Sequence, residues 1–204
     1  MAAAPRRPFL HYIKAQILRA VAQGGWGAFN LNVEARAARF AEAIPEYELV
    51  IAANPNDAGA LSQLAWCKFM TGFPADAVPL LDKSIRISPR DPFLYLRQSR
   101  LGTVYLFQGQ IDAAIEQLEN ARRANSPFLP THSVLTAAYG LKGDAARAAT
   151  ELAEAREGLK RRGMDQYQTL TMIRQNSDWN TPPLHEAFEK YFIAGLRLAG
   201  WPDQ

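Results

Sequence analysis

Ala43-Ile44-Pro45 and Ala77-Val78-Pro79 stand 34 residues apart, and ten residues beyond each comes a second matched stretch, Asn54-Pro55-Asn56-Asp57 and Ser88-Pro89-Arg90-Asp91. A self-similarity of this period is the length of one helix-turn-helix repeat. It predicts stacked two-helix units sharing a continuous core, and such arrays serve as surfaces for holding other molecules far more often than as sites of chemistry.

Composition agrees. The chain has 204 residues, 48% of them hydrophobic, enough to bury a core and to argue against disorder. A single cysteine, Cys67, excludes an internal disulfide and reads as a buried structural thiol. The amino-terminal stretch has no apolar run of signal-peptide length, and nowhere does an apolar run reach the roughly 18 residues that span a bilayer. We therefore expect a cytoplasmic protein. With 23 basic and 20 acidic residues the net charge is only +3, which does not point to nucleic acid, and Lys160-Arg161-Arg162 reads as a solvated linker.

Gly72, taken as the glycine between two helices, makes Ala58 the first position of a repeat and places Ala65 at position 8, Ala77 at 20, Leu81 at 24 and Pro89 at 32. Small residues at positions 8 and 20 let the two helices approach, and the proline ends the second helix. The next inter-helix glycine is Gly109, with extra residues around Pro92-Phe93-Leu94. Tyr105, Gly109, Ala114, Leu118 and Ala121 then recur 34 residues on as Tyr139, Gly143, Ala148, Leu152 and Ala155.

The first unit is less regular. Apolar residues at helical spacing predict a helix over 8–22. A long loop follows, Gln23-Gly24-Gly25-Trp26-Gly27-Ala28-Phe29-Asn30-Leu31-Asn32, with Asn32 a candidate cap for the next helix. Trp26 and Phe29 are costly to leave in water, so they either plug a gap or form a contact. Pro45 and Pro79 occupy the same repeat position inside helices, which reads as a shared bend. Beyond Gly163 the register fades into a short helix at about 166–175. A last helix over about 182–199, with Thr181 as its expected cap, would cover the end of the array.

With this frame fixed, the chain resembles a tetratricopeptide protein over roughly residues 8–160. The resemblance implies an all-α fold, a right-handed α-solenoid of about four repeats (8–56, 58–91, 95–128 and 129–160, with an insertion at 23–39), followed by capping helices over 161–204. Glu42-Ala-Ile-Pro-Glu-Tyr-Glu, Cys67-Lys-Phe-Met-Thr-Gly72, Ile85-Arg-Ile-Ser-Pro-Arg-Asp-Pro92 and Tyr191-Phe-Ile-Ala-Gly-Leu-Arg-Leu-Ala-Gly-Trp-Pro202 further resemble the carboxy-terminal repeat region of bacterial class III adenylate/guanylate cyclases. In those enzymes such an array follows a catalytic domain. No stretch of this chain reads as that domain, so the resemblance implies a regulatory or scaffolding part that makes no cyclic nucleotide by itself.

No catalytic constellation emerges from the residues. His11, His132 and His185 fall on separate helices without metal-ligand spacing and read as surface or packing histidines. No phosphate loop or nucleophile elbow is present in the sequence. Glu116, Glu119, Glu151 and Glu154 read as a solvated helix face. We expect no metal and no cofactor.

What remains is the concave face, which the family frame assigns to first-helix positions 2, 5, 9 and 12 to 13. The candidate contacts are Ser62, Trp66, Phe69 and Met70, then Ser99, Thr103 and Phe107, then Ser133 and Ala137. This face lacks the basic residues with which relatives clamp a terminal carboxylate. It suits an apolar or amphipathic helix of a protein or peptide partner, unless the helix over 184–198 fills it instead. Nucleic acid and membrane are not expected partners. Self-assembly through Trp26 and Phe29 is the alternative.

Overall fold

The computed structural model describes residues 8–22, 33–125 and 128–204, and within them every regular element is helical. Trp26, Phe29 and the expected cap Asn32 lie outside the described residues. The chain divides into two compact units, Met1–Ser88 and Pro89–Gln204.

The first unit holds α1 (Pro8–Ala22), α2 (Val33–Ala53), α3 (Ala58–Met70) and α4 (Pro74–Ile87), each packed on the next. Helix α1 occupies the range its periodicity predicts, and both Pro45 and Pro79 lie inside their helices. Asp57 starts α3 by accepting a hydrogen bond from the Ala60 amide at 2.8 Å, and Pro74 opens α4, where its missing N–H costs nothing. Phe40, Tyr47, Leu61, Phe69 and Leu81 form the core, with Cys67 buried among them.

The second unit holds α5 (Leu94–Phe107), α6 (Ile111–Ala124), α7 (Leu129–Lys142) and α8 (Ala145–Arg161). A short 3-10 turn, Asp165–Tyr167, leads to α9 (Leu170–Asn176). A terminal helical segment then runs as α10 (His185–Ala187), a π-helical stretch Phe188–Ile193, and α11 (Ala194–Leu198). It begins three residues later than its sequence suggests. Thr181 does not cap it, because the Thr181 hydroxyl is buried with no hydrogen-bond partner among the described residues. Its backbone carbonyl accepts from the Leu184 amide instead, closing a turn ahead of the helix.

The helix ends repeat one device. At Gly72, Gly109 and Gly143 the backbone turns left-handed, with φ of 90°, 75° and 76°. The amide one residue later donates to the carbonyl five residues back: Phe73 to Lys68, Gln110 to Tyr105 and Asp144 to Tyr139, at 2.8, 2.9 and 3.0 Å. This glycine-terminated closure satisfies carbonyls that a helix end leaves unpaired, and only glycine takes that conformation without strain. The 34-residue period therefore registers one hydrogen-bonding solution used again and again.

Small residues inside the units set the helix spacing. A Cβ added to Gly102 would lie 2.5 Å from Leu118 Cγ and 3.0 Å from the Ala114 carbonyl oxygen, so α5 and α6 touch along this line. Gly102→Val should therefore force the pair apart and lower stability by about 2 kcal/mol, measured by urea unfolding; an unchanged midpoint would show that this contact is loose.

Candidate functional site

The second unit shows what becomes of the expected concave face. Its first helices, α5 and α7, do present Ser99, Thr103, Phe107, Ser133 and Ala137, but the chain's own terminal segment lies across them. Backbone meets backbone here. A Cβ on Gly140 of α7 would stand 2.1 Å from the Gly195 carbonyl oxygen, and one on Gly195 would stand 2.3 Å from that of Ala137. The ring of Tyr191 rests on Gly109 with similar closeness. Three glycines thus admit a helix where a side chain would bar it.

Aromatic side chains hold the rest of the contact. Phe107 packs edge-on against Trp179 at 6.0 Å and stacked with Phe192 at 6.4 Å, while Trp179 meets Phe192 at 5.1 Å and Phe188 meets Phe192 at 5.7 Å. Such pairs add roughly 0.5–1.5 kcal/mol each beyond the area they bury. The far end is tied as well. The amide of Leu170 donates to the Pro202 carbonyl at 2.8 Å, and the Trp201 indole donates to the Gln168 carbonyl at 3.1 Å.

Eight of the nine residues expected to line the face are buried: Ser62, Trp66, Phe69, Met70, Ser99, Thr103, Phe107 and Ala137. Trp66 and Phe69 meet at 5.1 Å with their rings tilted in the first unit. Hydroxyls that the sequence offers to a ligand are spent within the fold. Thr103 donates to the Ser99 carbonyl at 2.8 Å, and Thr131 donates to the Ser99 hydroxyl at 3.1 Å. Only Ser133 stays half-exposed.

Ser133 opens onto a cavity of about 230 Å³ lined by Leu129, Pro130, Leu159, Met164, Tyr167, Ile173, Trp179, Phe192 and Trp201, with Ser177 and Asp178 beside them. Its walls are largely apolar, and the volume exceeds the roughly 150 Å³ of an engineered cavity that takes up benzene. Ser133 is one of the expected concave residues. The aromatic walls come from the carboxy-terminal segment, which lies beyond the repeat frame; the crowding of Trp179, Phe192 and Trp201 near the end of the chain was the signal for them.

The titratable groups serve the fold. His11 and Lys14 of α1 both bind Glu46 of α2, which holds that carboxyl below its usual range. His132 of α7 meets Glu151 of α8 at 2.7 Å, and Arg122 of α6 binds the other carboxylate oxygen. Glu151 is therefore buried and paired, contrary to its expected place on a solvated face. Glu119 accepts from the Tyr139 hydroxyl; burial and that carboxylate push the phenol to about 12, and the same hydrogen bond lowers Glu119. His185 contacts the Asn180 side chain at 2.7 Å. Among the described residues, no three histidine, cysteine or acidic side chains gather as a metal site would need.

A family profile for the tetratricopeptide repeat matches residues 32–92 and 99–163, more than half of the chain. The chain belongs to the tetratricopeptide repeat family. Solved structures of this fold are similar across most of their length. A crystal structure of MamA is 23% identical, with 79% of this chain and 89% of that one covered and a TM-score of 0.55. A putative kinesin light chain of Podosopora anserina with nearly identical TPR-like repeats is 17% identical, with 94% and 97% covered and a TM-score of 0.59. YrrB, described as a TPR protein with an unusual peptide-binding site, is 14% identical, with 96% and 93% covered and a TM-score of 0.53. These likenesses establish the fold. No curated protein matches the chain in sequence at a significant level. As a tetratricopeptide array, the molecule is consistent with protein or peptide binding.

Proposed function

We propose that this protein is a non-enzymatic scaffold that binds an apolar or amphipathic helix of a protein or peptide partner. The observation that carries the reading is the seating of 185–198 on α5 and α7, where Gly140, Gly109 and Phe107 accept just such a helix. A surface that fits one apolar helix of this shape is suited to another, and the cavity beside Ser133 offers a partner side chain an entry without prior displacement of the terminal segment. In this reading residues 1–160 form the repeat array and 161–204 the cap.

The partner meets Ser133 at the open edge of the second unit, and Phe107 and Ala137 once the terminal segment gives way. Aromatic anchors in such grooves carry much of the binding energy. Recovery of interacting proteins from the source organism, compared between wild type, Ser133→Trp and Phe107→Ala, tests this. Each substitution should reduce recovery of the same partner about tenfold. Undiminished recovery by both would remove this face from consideration.

The sequence resemblance to cyclase repeat regions supports a cytoplasmic role in cyclase-linked signalling, either as an independent scaffold or as the regulatory part of a catalytic chain. A cyclase domain encoded next to or in frame with this sequence would favour the latter. Among the described residues no helix is long and apolar enough to cross a membrane.

A further inference from the structure

Helix α1 leaves four large apolar side chains in water. Phe9, Leu10, Ile13 and Ile17 are 71%, 55%, 40% and 39% exposed. Their spacing puts Phe9, Ile13 and Ile17 on successive turns with Leu10 beside them, so they form one stripe along the helix. Ala15 and Ala22 point the other way and are buried. A contiguous apolar patch of this kind marks a contact surface, whereas single exposed hydrophobics need no explanation.

Charge identifies what it contacts. Of the 23 lysines and arginines, Arg6, Arg7, Lys14 and Arg19 precede residue 34, and none of the 20 acidic residues does. The remaining 19 basic residues are balanced by 20 acids, so the net positive charge of the whole chain resides in this stretch. Helix α1 itself contains no acidic side chain. From its neighbour α2, Glu46 faces it and engages both His11 and Lys14; Arg19 turns to Gln16 of its own helix at 3.0 Å. A second copy of α1 laid against the first would set like charge against like. An apolar stripe on a helix that is basic and free of acids suits an anionic bilayer surface, where apolar side chains enter the headgroup boundary and cations stay with the lipid phosphates and carboxylates.

We propose that α1 is a membrane-surface element, lying in the interface of an anionic bilayer with Phe9, Leu10, Ile13 and Ile17 inserted. The expectation of no membrane partner rested on the lack of a spanning segment, and a helix lying in the plane of the surface needs none. The stripe shares no residue with the inner faces assigned to a peptide partner, so failure of either reading leaves the other standing.

Co-sedimentation of the full chain with lipid vesicles decides the matter. Vesicles containing phosphatidylserine should retain the protein at least tenfold better than phosphatidylcholine alone, with retention falling as salt is added. Ile13→Asp and Phe9→Ser should each abolish retention while helical circular dichroism is unchanged, since both positions are exposed. Arg6→Glu with Arg7→Glu should weaken it comparably. Equal retention by both lipids, or by neither, overturns the proposal. So does a dimer by light scattering that Ile13→Asp dissociates without any vesicle binding, which would make the stripe an interface between copies.

Discussion

Gly195→Leu should lower Tm by about 10 °C and release the terminal helix. The reason is steric and local. A Cβ at this position falls 2.3 Å from the Ala137 carbonyl oxygen and 2.8 Å from its carbon, both backbone atoms that cannot rotate away. The helix must therefore back off α7, and with it Phe188, Phe192, Ile193 and Leu196, all buried. Overpacking costs roughly 1–3 kcal/mol where a core can adjust, and more where backbone is the obstacle. A loss of about 3 kcal/mol corresponds to roughly 6–12 °C in a chain of this length. Thermal unfolding gives the first number, and limited proteolysis after Gly163 shows whether the segment has come free. Gly143→Ala is the control: a Cβ there meets nothing within 4 Å, so only its left-handed φ of 76° is strained, at about 1 kcal/mol. Equal effects from the two substitutions would mean that the glycine-to-glycine approach is not what seats the helix. If the peptide-binding reading is right, Gly195→Leu should also strengthen partner binding, because it removes the competing helix.

The repeats were legible because they depend on local rules. Gly72, Gly109 and Gly143 each close a helix by the same hydrogen bonds, and Ala77, Ala114 and Ala148 each admit a neighbouring helix, so the pattern recurs wherever the geometry does. The terminal segment obeys no such period. Its docking depends on Gly140 and Gly195 meeting across 55 residues of sequence, and a glycine in an apolar helix looks the same whether it faces solvent or backbone. The π-helical stretch Phe188–Ile193 likewise shifts the phase of the aromatic residues in a way that a regular helical wheel misses. Groove hydroxyls misled for a related reason: Ser99 and Thr103 sit where a ligand would be expected, yet Thr103 donates to the Ser99 carbonyl and the Ser99 hydroxyl accepts from Thr131. Glu151 was misread because its spacing fits a solvated face, while its partners His132 and Arg122 come from two other helices.

Glu151→Ala should be among the most destabilising single changes in the second unit, at about 3 kcal/mol, and the repeat frame supplies its own remedy. The Glu151 side chain is 2% exposed and that of His132 6%, so removing the carboxylate takes the anion away from a buried imidazole; Arg122, at 36% exposure, can turn to water. Breaking a buried pair costs roughly 3–5 kcal/mol, whereas replacing both members with apolar groups is often neutral. His132 and Glu151 are repeat positions 4 and 23. In the first unit His11 and Glu46 again form a histidine-carboxylate pair, with Glu46 also at position 23. The repeat between Gly72's two helices carries Leu61 and Leu80 at those places, and the next carries Gln98 and Gln117. The fold thus already tolerates leucine there, and His132→Leu with Glu151→Leu should recover to within about 1 kcal/mol of wild type. Urea unfolding of the two single variants and the double variant separates the possibilities. Recovery in the double variant means that the ionic pair contributes little net stability and that the damage lies in removing one member of a buried pair while keeping the other. A double variant as unstable as Glu151→Ala would instead assign the stability to the pair itself, and the leucines of the inner repeat would then be a different solution and not an equivalent one.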